Sequence, residues 1–382
     1  MGSYSKNSHS LTSNPLFTFP GGCDQDGNCY AVSPYDFATI YNVLPLWNSG
    51  IDGTGETIAV VGRSNIVLQD VTSFRSIFNL PPPDASHLQI ILNGPDPGLA
   101  GDESEADIDV QWSGAVAKNA KIDFVVSEST ETTDGVDLSA LYVIDNNLAP
   151  ILSESFGQCE LFMGTAGNAF FQNLWQQAAA QGISVFVSTG DNGSSGCDNN
   201  QGTVPQPAED GLAISGIAST QFNVAVGGTD FNDITNPLTF WNATNDPTTG
   251  ASAKGYIPET TWNNTCTNSL FGSVAGFSAN AETNCNNSQL VDFVWTVGGS
   301  GGVSSCTTSN GNTPSSCTGG YSKPIWQTGA GVPSDGKRDI PDVSLFASNG
   351  FVGNFYVICE ADATNGFCNI NNLAGFGGTS VA

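Results

Sequence analysis

The stretch AFFQNLWQQAAAQGISVFVSTGDNG, residues 169–193, has the pattern of a helix followed by a buried strand. Its first part reads as a helix, and Gly182 is suited to end that helix because glycine readily adopts left-handed backbone. The part that follows, ISVFVST (183–189), is a nearly continuous apolar run, which is typical of a buried strand in a parallel sheet. Asp191 comes directly after this strand. Because sites in such sheets collect at the carboxyl ends of strands, Asp191 is a candidate site residue.

The same alternation extends through the first two thirds of the chain. Further predicted strands are TIAVVG (57–62), KIDFVVS (121–127), APILSES (149–155) and FNVAVGG (222–228). Further predicted helices are VTSFRSIF (71–78), ESEADIDVQWSGAVA (103–117) and VDLSALYVIDNN (136–147). This order predicts an α/β fold in which a mostly parallel sheet has helices on both faces.

Composition limits the partners that the chain can bind. Its 382 residues include 9 Lys and Arg against 36 Asp and Glu, a net charge of −27. Binding to phosphates needs clustered cations, so no nucleic-acid partner is predicted. The acidity fits either a solubilising surface or function at low pH, where protonated carboxylates repel one another less. No run of 18 apolar residues occurs, so no membrane span is predicted.

Ten cysteines predict an extracytoplasmic protein with disulfides. Their even number, without CxxC motifs or neighbouring histidines, favours disulfides over zinc. We predict bridges between sequential cysteines: Cys23–Cys29, Cys159–Cys197, Cys266–Cys285, Cys306–Cys317 and Cys359–Cys368. The segment from about 235 to 320 is rich in Asn, Thr, Gly and Ser, and it is predicted to be a disulfide-pinned loop insertion. The opening MGSYSKNSHSLTSNP lacks the apolar region of a signal peptide, so we interpret the N-terminus as processed or recombinant.

The segment GDESEADIDVQW, residues 101–112, is a candidate source of a catalytic base. On a helix, Glu103 and Asp107 share one face, and Glu105 and Asp109 share another. Two adjacent carboxyl groups resist double ionisation, so such a pair can supply a general base at acidic pH. The spacing does not choose between the two pairs. An acidic helix N-terminus facing solvent and a metal site are the alternatives.

A serine near the end of the sequence is the candidate nucleophile. The stretch AGFGGTSVA (374–382) places Ser380 behind paired glycines, where a tight turn is expected. A hydroxyl needs a base to remove its proton. The two histidines are His9, in a polar tail, and His87, in DASHLQI. Neither has the HGTH-like context of subtilisin, so subtilisin-type catalysis is rejected.

Together these motifs resemble those of the sedolisins, the serine-carboxyl peptidases, which have a subtilisin-like fold and act as acid endopeptidases or tripeptidyl peptidases. The resemblance extends from about SPYDFATIYNV (33–43) to the last residue. Five motifs occur in the family's order: ESEAD (103–107), TGD (189–191), YSKPIWQ (321–327), RDIPDVS (338–344) and GGTS (377–380). The resemblance implies a lead segment over residues 1–32 and a peptidase catalytic domain over 33–382 that is incomplete at its C-terminus.

The resemblance also implies a role for each matching residue. Ser380 is expected to be the nucleophile and Glu103 its general base. Asp107 is expected to orient Glu103, and Asp191 to stabilise the oxyanion. It is the resemblance that selects Glu103 and Asp107 over the neighbouring carboxylate pair. The backbone of SESFG is expected to pair with an extended substrate, through Ser153, Ser155, Phe156 and Gly157.

Three positions depart from the family pattern. Gly377 stands where family members usually have serine, and Phe156 where many have a tryptophan that lines the site. Gly62 stands where some members have a glutamate that extends the carboxylate relay.

The resemblance further implies a cofactor and partners. Calcium is expected, with its ligands beyond residue 382, so no metal ligand is predicted within this chain. Expected partners are polypeptide substrates and the family's own folding prosegment, which is absent from this sequence. We expect a monomer that is secreted into acidic surroundings.

The leading hypothesis for function is an acid endopeptidase that forms an acyl-enzyme at Ser380. An exopeptidase that removes tripeptides is the alternative within the same class. Outside that class, the chain could be a catalytically inactive extracellular module that holds a polypeptide or a glycan. A calcium-loaded acidic surface protein without chemistry is the remaining alternative.

Overall fold

A computed structural model describes residues 18–20, 28–198, 207–270, 277–350, 353–361, 366, 368–370 and 372–381. In this part of the chain the strands are β1 Thr18–Pro20, β2 Asn28–Val32, β3 Thr57–Gly62, β4 Leu88–Leu92, β5 Lys121–Val126, β6 Ile151–Glu154, β7 Ser184–Ser188, β8 Val224–Phe231, β9 Glu259–Thr261, β10 Gly302–Val303, β11 Asp339–Ile340, β12 Val343–Phe346, β13 Asn354–Ile358 and β14 Ala374–Phe376. The helices are α1 Pro34–Ile40, α2 Leu44–Asn48, α3 Leu68–Ile77, α4 Glu103–Val116, α5 Gly135–Asp145, α6 Glu160–Gln181, α7 Pro237–Phe240 and α8 Ala281–Cys285.

A large, mostly parallel sheet organises the fold, as the sequence predicts. From edge to edge its strands lie in the order β4, β5, β3, β6, β7, β8 and β12, and β9 joins β8 antiparallel. The chain crosses from one side of β3 to the other between β5 and β6. At such a switch point the carboxyl ends of neighbouring strands form a crevice that can hold a ligand.

Helices cover both faces of this sheet. On one face, α5 and α6 pack through a core that includes Ala140 and Trp175 of the helices and Leu152 and Val185 of the strands. Long α6 begins before its predicted start because Gly164, with φ 63°, joins two helical parts across a kink. The strands β4 and β12 were not predicted from the sequence. Both lie at edges of the sheet, where fewer side chains are buried and the apolar run is therefore less continuous.

On the other face, α4 lies between the large sheet and a second sheet in the order β1, β2, β13 and β14. Ala106 and Val110 of α4 pack on the large sheet, whereas Ile108 and Trp112 pack in the core under the second sheet. The Trp112 indole nitrogen donates to the carbonyl of Val357 in β13 (2.8 Å). Packing on two opposite faces fixes the rotation of α4 about its axis, and therefore fixes where each of its carboxylates points.

Four of the five predicted disulfides are confirmed: Cys159–Cys197, Cys266–Cys285, Cys306–Cys317 and Cys359–Cys368. The fifth includes Cys23, which lies outside the described residues. Two of the four bridges pin the segment from 235 to 320. Among the described helices, none is long and apolar enough to cross a bilayer.

Candidate functional site

Ser380 lies beside α4 and close to the loop that follows β7. It belongs to a 3₁₀ turn, Thr379–Val381, and is 8% exposed. The backbone N–H and the side-chain hydroxyl of Thr379 both donate to Asp191 Oδ1, at 2.8 and 2.9 Å. The Thr379 hydroxyl in turn accepts from the N–H of Gly190 (3.0 Å). These bonds hold Asp191 beside the serine, and its role toward an oxyanion stays a prediction.

Gly378 keeps the space between Asp191 and Ser380 open. A Cβ atom at this position would lie 3.0 Å from Asp191 Oδ2 and 3.5 Å from Ser380 Oγ. A small group such as a carbonyl can therefore reach both side chains. Burial raises the pKa of Asp191, and the two hydrogen bonds from Thr379 work in the opposite direction.

The carboxylate that contacts Ser380 comes from Glu105 in α4. Its side chain is hydrogen-bonded to the side chain of Ser380. Asp109 lies one helical turn further along, and its carboxylate acts on that of Glu105. Burial, then the neighbouring Asp109, raises the pKa of Glu105 well above its usual range, and the hydrogen bond from Ser380 lowers it. This arrangement resembles a nucleophile, a base and a group that tunes the base.

Ser155 connects the carboxylate pair to the serine backbone. Its hydroxyl lies 2.7 Å from Asp109 Oδ1 and 3.0 Å from the carbonyl oxygen of Ser380. Burial raises the pKa of Asp109 well above its usual range, and the hydrogen bond from Ser155 lowers it. A hydroxyl has one proton, so Ser155 donates to one of these oxygens at a time.

The structure does not bring Glu103 and Asp107 to Ser380, which corrects their assignment to the catalytic site. Burial, then the carboxylates of Asp70, Glu103 and Glu360, raises the pKa of Asp107. The amide of Gln111 donates to Asp107 Oδ1 (3.1 Å) and to the carbonyl of Cys359 (2.8 Å), next to β13.

The cause of this correction is the rotation of α4. The pattern Glu-x-x-x-Asp fits residues 105–109 as well as 103–107. The two pairs differ only in the direction in which they leave the helix, and tertiary packing decides that direction. Gln111 continues the column of Glu103 and Asp107, and its contacts turn that column toward β13.

The predicted substrate-binding residues have different surroundings. Ser153, in β6, lines an apolar cavity of about 310 Å³ together with Asp109 and Ser380. Ser155 contacts Asp109, as described above. The Phe156 ring is buried, and the Arg63 guanidinium lies 4.9 Å from its centroid. Gly157 follows in buried backbone. Contact of these four residues with a substrate stays a prediction.

Sequence reasoning missed two polar groups near this cleft. Arg63 pairs with Asp102 (2.8 Å) and Asp134 (2.5 Å), which precede α4 and α5 respectively. Glu154, at the end of β6, is fully buried, and neither of its oxygens has a hydrogen-bond donor among the described residues. It is the one ionisable residue in SESFG, directly after an apolar run, and this was the available signal.

Two of the departures from the family pattern have a local explanation. A Cβ atom at Gly62 would lie 2.9 Å from the Phe124 ring, so this backbone leaves no space for a longer side chain there. A Cβ atom at Gly377 would lie 2.3 Å from the carbonyl oxygen of Ser348 and 2.4 Å from the Cα of Asn349. Glycine at 377 therefore permits the loop around Ser348 to pack closely against the segment that leads to Ser380.

We expect Gly377→Ser to destabilise the protein by about 1–3 kcal/mol, because the added side chain forces the backbone of residues 348–349 to move. Urea unfolding measures this change. Gly255→Ser is the matched control, since a Cβ atom there meets nothing within 4 Å. Equal stability of the two variants would contradict the packing described here.

Comparison with known proteins relates the chain to one group of peptidases. No protein-family model matches it. Sedolisin of Pseudomonas sp. (strain 101) is 26% identical over 365 residues, which are 93% of this chain and 49% of that protein. Kumamolisin of Bacillus sp. (strain MN-32) is 26% identical over 242 residues, 61% of this chain and 41% of that protein. The chain thus spans less than half of the length of these curated relatives.

A solved structure agrees with the fold. Pseudomonas sedolisin, described as a serine-carboxyl proteinase and solved with two molecules of pseudo-iodotyrostatin, superposes with a TM-score of 0.60 at 24% identity. The match covers 93% of this chain and 78% of that one. The two sequence relatives and this shared fold agree with the order of motifs along the chain. The chain is therefore similar to the sedolisins in sequence and shares their fold.

Proposed function

We propose that this protein hydrolyses peptide bonds as a serine-carboxyl endopeptidase, with Ser380 as nucleophile and Glu105 as its base. The observation that supports this most is the hydrogen bond between the Ser380 and Glu105 side chains, beside Asp191. A hydroxyl that donates to a carboxylate is poised to lose its proton. The Ser155 hydroxyl contacts both Asp109 and the Ser380 carbonyl oxygen, and this helps to fix the carboxylate pair relative to the serine.

In the proposed reaction, Ser380 Oγ attacks the scissile carbonyl carbon and Glu105 accepts the hydroxyl proton. The carbonyl π electrons move to oxygen, and the oxyanion lies in the space that Gly378 leaves beside Asp191. As the C–N bond breaks, Glu105 returns the proton to the leaving amine. An ester between Ser380 and the substrate remains, and water hydrolyses it by the same steps in reverse order.

Asp191 supports action at acidic pH. To donate a hydrogen bond to the oxyanion, its carboxyl group must be protonated. Burial raises the pKa of Asp191, so the carboxyl group keeps its proton to a higher pH than an exposed aspartate. Above that pH, an ionised Asp191 would repel the oxyanion. Activity is therefore expected to fall as pH rises through the pKa of Asp191.

We expect Asp191→Asn to extend activity toward neutral pH. The asparagine oxygen can keep the bonds from Thr379, while the amide nitrogen takes the position of Oδ2 and donates at any pH. The measurement is the pH profile of kcat/KM between pH 3 and 8, scaled to the maximum of each protein. If kcat/KM fell over the same pH range in Asp191→Asn as in the wild type, a group other than Asp191 would be responsible for the loss of activity at high pH.

Digestion of an acid-denatured protein between pH 3 and 7 tests the proposal as a whole, with Ser380→Ala as the comparison. The proposal expects cleavage in acid that the substitution abolishes. Mass spectrometry of the products then separates two modes of cleavage. Internal fragments identify an endopeptidase, whereas successive tripeptides identify an exopeptidase.

The setting of the enzyme follows from the same proposal. Disulfides such as Cys159–Cys197 form and persist in oxidising compartments, which supports secretion. Polypeptides are the proposed substrates. Binding of the family's prosegment, a monomeric state and the calcium site expected beyond residue 382 remain proposals from the resemblance.

A further inference from the structure

A second carboxylate cluster lies on the face of α4 that points away from Ser380. It consists of Asp70 in the first turn of α3 and of Glu103 and Asp107 in α4, and we call it the α3–α4 cluster. One carboxylate oxygen from each residue lies within 4.8 Å of the others. All three side chains are at most 3% exposed. The catalytic proposal uses none of them.

The incomplete hydrogen bonding of the buried Asp107 carboxylate indicates that a ligand binds within this cluster. Its side chain is completely buried, and Gln111 donates to Oδ1. For Oδ2, no hydrogen-bond donor is found among the described residues. A buried carboxylate oxygen without a donor is costly unless a cation or a proton occupies its place. The charged groups that act on Asp107 are the acids Asp70, Glu103 and Glu360, so none of them compensates its charge.

The surrounding contacts hold the carboxylates in place. The N–H of Ala361 donates to Asp70 Oδ2 (3.0 Å), and the Ser104 hydroxyl is hydrogen-bonded to Glu360. Gln111 is fixed by the N–H of Cys359, which donates to its side-chain oxygen (2.9 Å). The three ligand oxygens thus come from two separate elements, α3 and α4, and the segment after β13 holds Asp70 and Gln111 in place. Rigid oxygens from more than one element are typical of a cation site rather than of a solvated acidic surface.

The donor set selects the class of cation. The three ligands are carboxylate oxygens, and the nearby Cys359 and Cys368 are joined in a disulfide and offer no thiolate. Carboxylate oxygens are ligands of hard cations such as Ca²⁺. With Ca²⁺–oxygen distances of about 2.3–2.6 Å, ligands on opposite sides of the ion are about 4.6–5.2 Å apart. An upper distance of 4.8 Å between the three oxygens fits such an ion at their centre.

We propose that Asp70, Glu103 and Asp107 bind one divalent cation, Ca²⁺ by the chemistry of the site. This site lies within the chain and is separate from the calcium site that the resemblance places beyond residue 382. The ion would join α3 to α4 and fix the rotation of α4 from the face opposite Glu105. The binding site does not depend on the proposed peptidase activity.

The test is calcium binding by the intact protein after removal of divalent ions with a chelator. Isothermal titration with CaCl₂ is expected to show one saturable site per chain, and CaCl₂ is expected to raise the unfolding temperature. In Asp107→Asn we expect Kd to rise at least tenfold and the thermal shift to disappear. Asp145→Asn, which removes an exposed carboxylate from α5, controls for general attraction to the negative surface and should bind as the wild type does.

The readout is the difference that calcium makes to each protein, so a change in the basal stability of a variant does not affect it. If Asp107→Asn fails to fold, Asp70→Asn gives the same comparison from α3. Absence of a saturable site in the wild type would overturn the proposal, and protons would then be what neutralises the cluster. An equal calcium response in Asp107→Asn would also overturn it.

Discussion

Glu105→Gln is expected to lower kcat/KM for peptide hydrolysis about 10³-fold or more at the optimum pH. The reason is that glutamine cannot accept the proton that Ser380 must lose, although it retains the shape of the side chain. Loss of one member of a catalytic triad typically has an effect of this size or larger. The measurement is steady-state hydrolysis of a peptide substrate by the wild type and the variant, at a temperature where both are folded.

Glu103→Gln is the matched comparison for Glu105→Gln, because it makes the same substitution in the same helix but on the opposite face. Its kcat/KM is expected to fall far less than that of Glu105→Gln, with its effect appearing instead in the response of stability to calcium. Exposed Glu131→Gln is the neutral control. If Glu103→Gln instead had the larger effect on kcat/KM, the assignment of the base to Glu105 would be refuted.

Glu154 is expected to weaken the folded protein as pH rises. Burial, then the carboxylates of Asp137 and Asp134, raises the pKa of Glu154 well above its usual range, and Asp137 itself has its pKa raised to about 7. A group with a raised pKa binds more protons in the folded than in the unfolded state. Stability is therefore fully retained below the unfolded pKa of about 4.3 and falls as pH rises above it, toward the folded pKa.

Glu154→Gln is expected to flatten this dependence. Each such group lowers the free energy of unfolding by up to about 1.4 kcal/mol per pH unit within its window, so removing one should reduce the loss between pH 4.5 and 7 by a measurable amount. Urea unfolding at several pH values measures it. Buried glutamine can destabilise at every pH, so the slope against pH and not the absolute stability is the test. A slope equal to that of the wild type and of Glu131→Gln would contradict the account.

Sequence alone predicted the sheet and its main helices because buried parallel strands are short, nearly continuous apolar runs. β7 and Asp191 are the clearest case, since the strand, its end and the residue that follows are adjacent in the chain. Ser380 was predicted from its glycine-rich context, and the neighbouring Thr379 connects it to Asp191. Local patterns of this kind are readable without tertiary structure.

The sequence alone could not predict which of the two carboxylate pairs in α4 faces Ser380. Glu103 and Asp107 have the same spacing as Glu105 and Asp109, and a helix presents both pairs equally until it packs. The contacts of Gln111 and Trp112 with β13, about 245 residues further along the chain, decide which pair faces Ser380. Contacts between such distant segments cannot be predicted from the spacing of the carboxylates along α4.

The contacts of the Ser155 hydroxyl could not be predicted from the sequence for a related reason. The resemblance predicted that the Ser155 backbone contacts substrate, and this stays a prediction, whereas the Ser155 hydroxyl lies against Asp109 and the Ser380 backbone. A polar residue at a strand end can face a ligand or another side chain, and only the neighbouring element decides between the two. The second sheet was missed because its strands are short and come from distant parts of the chain.

The central claim is that Ser380 is a nucleophile activated by Glu105. The most direct test is to treat the intact protein at acidic pH with a fluorophosphonate probe, which modifies activated serines, and to locate the adduct by peptide mass spectrometry. The account predicts a single adduct on the peptide that contains Ser380, strongly reduced in Glu105→Gln and absent in Ser380→Ala. An unlabelled Ser380 in the folded wild type, or equal labelling in Glu105→Gln, would contradict it.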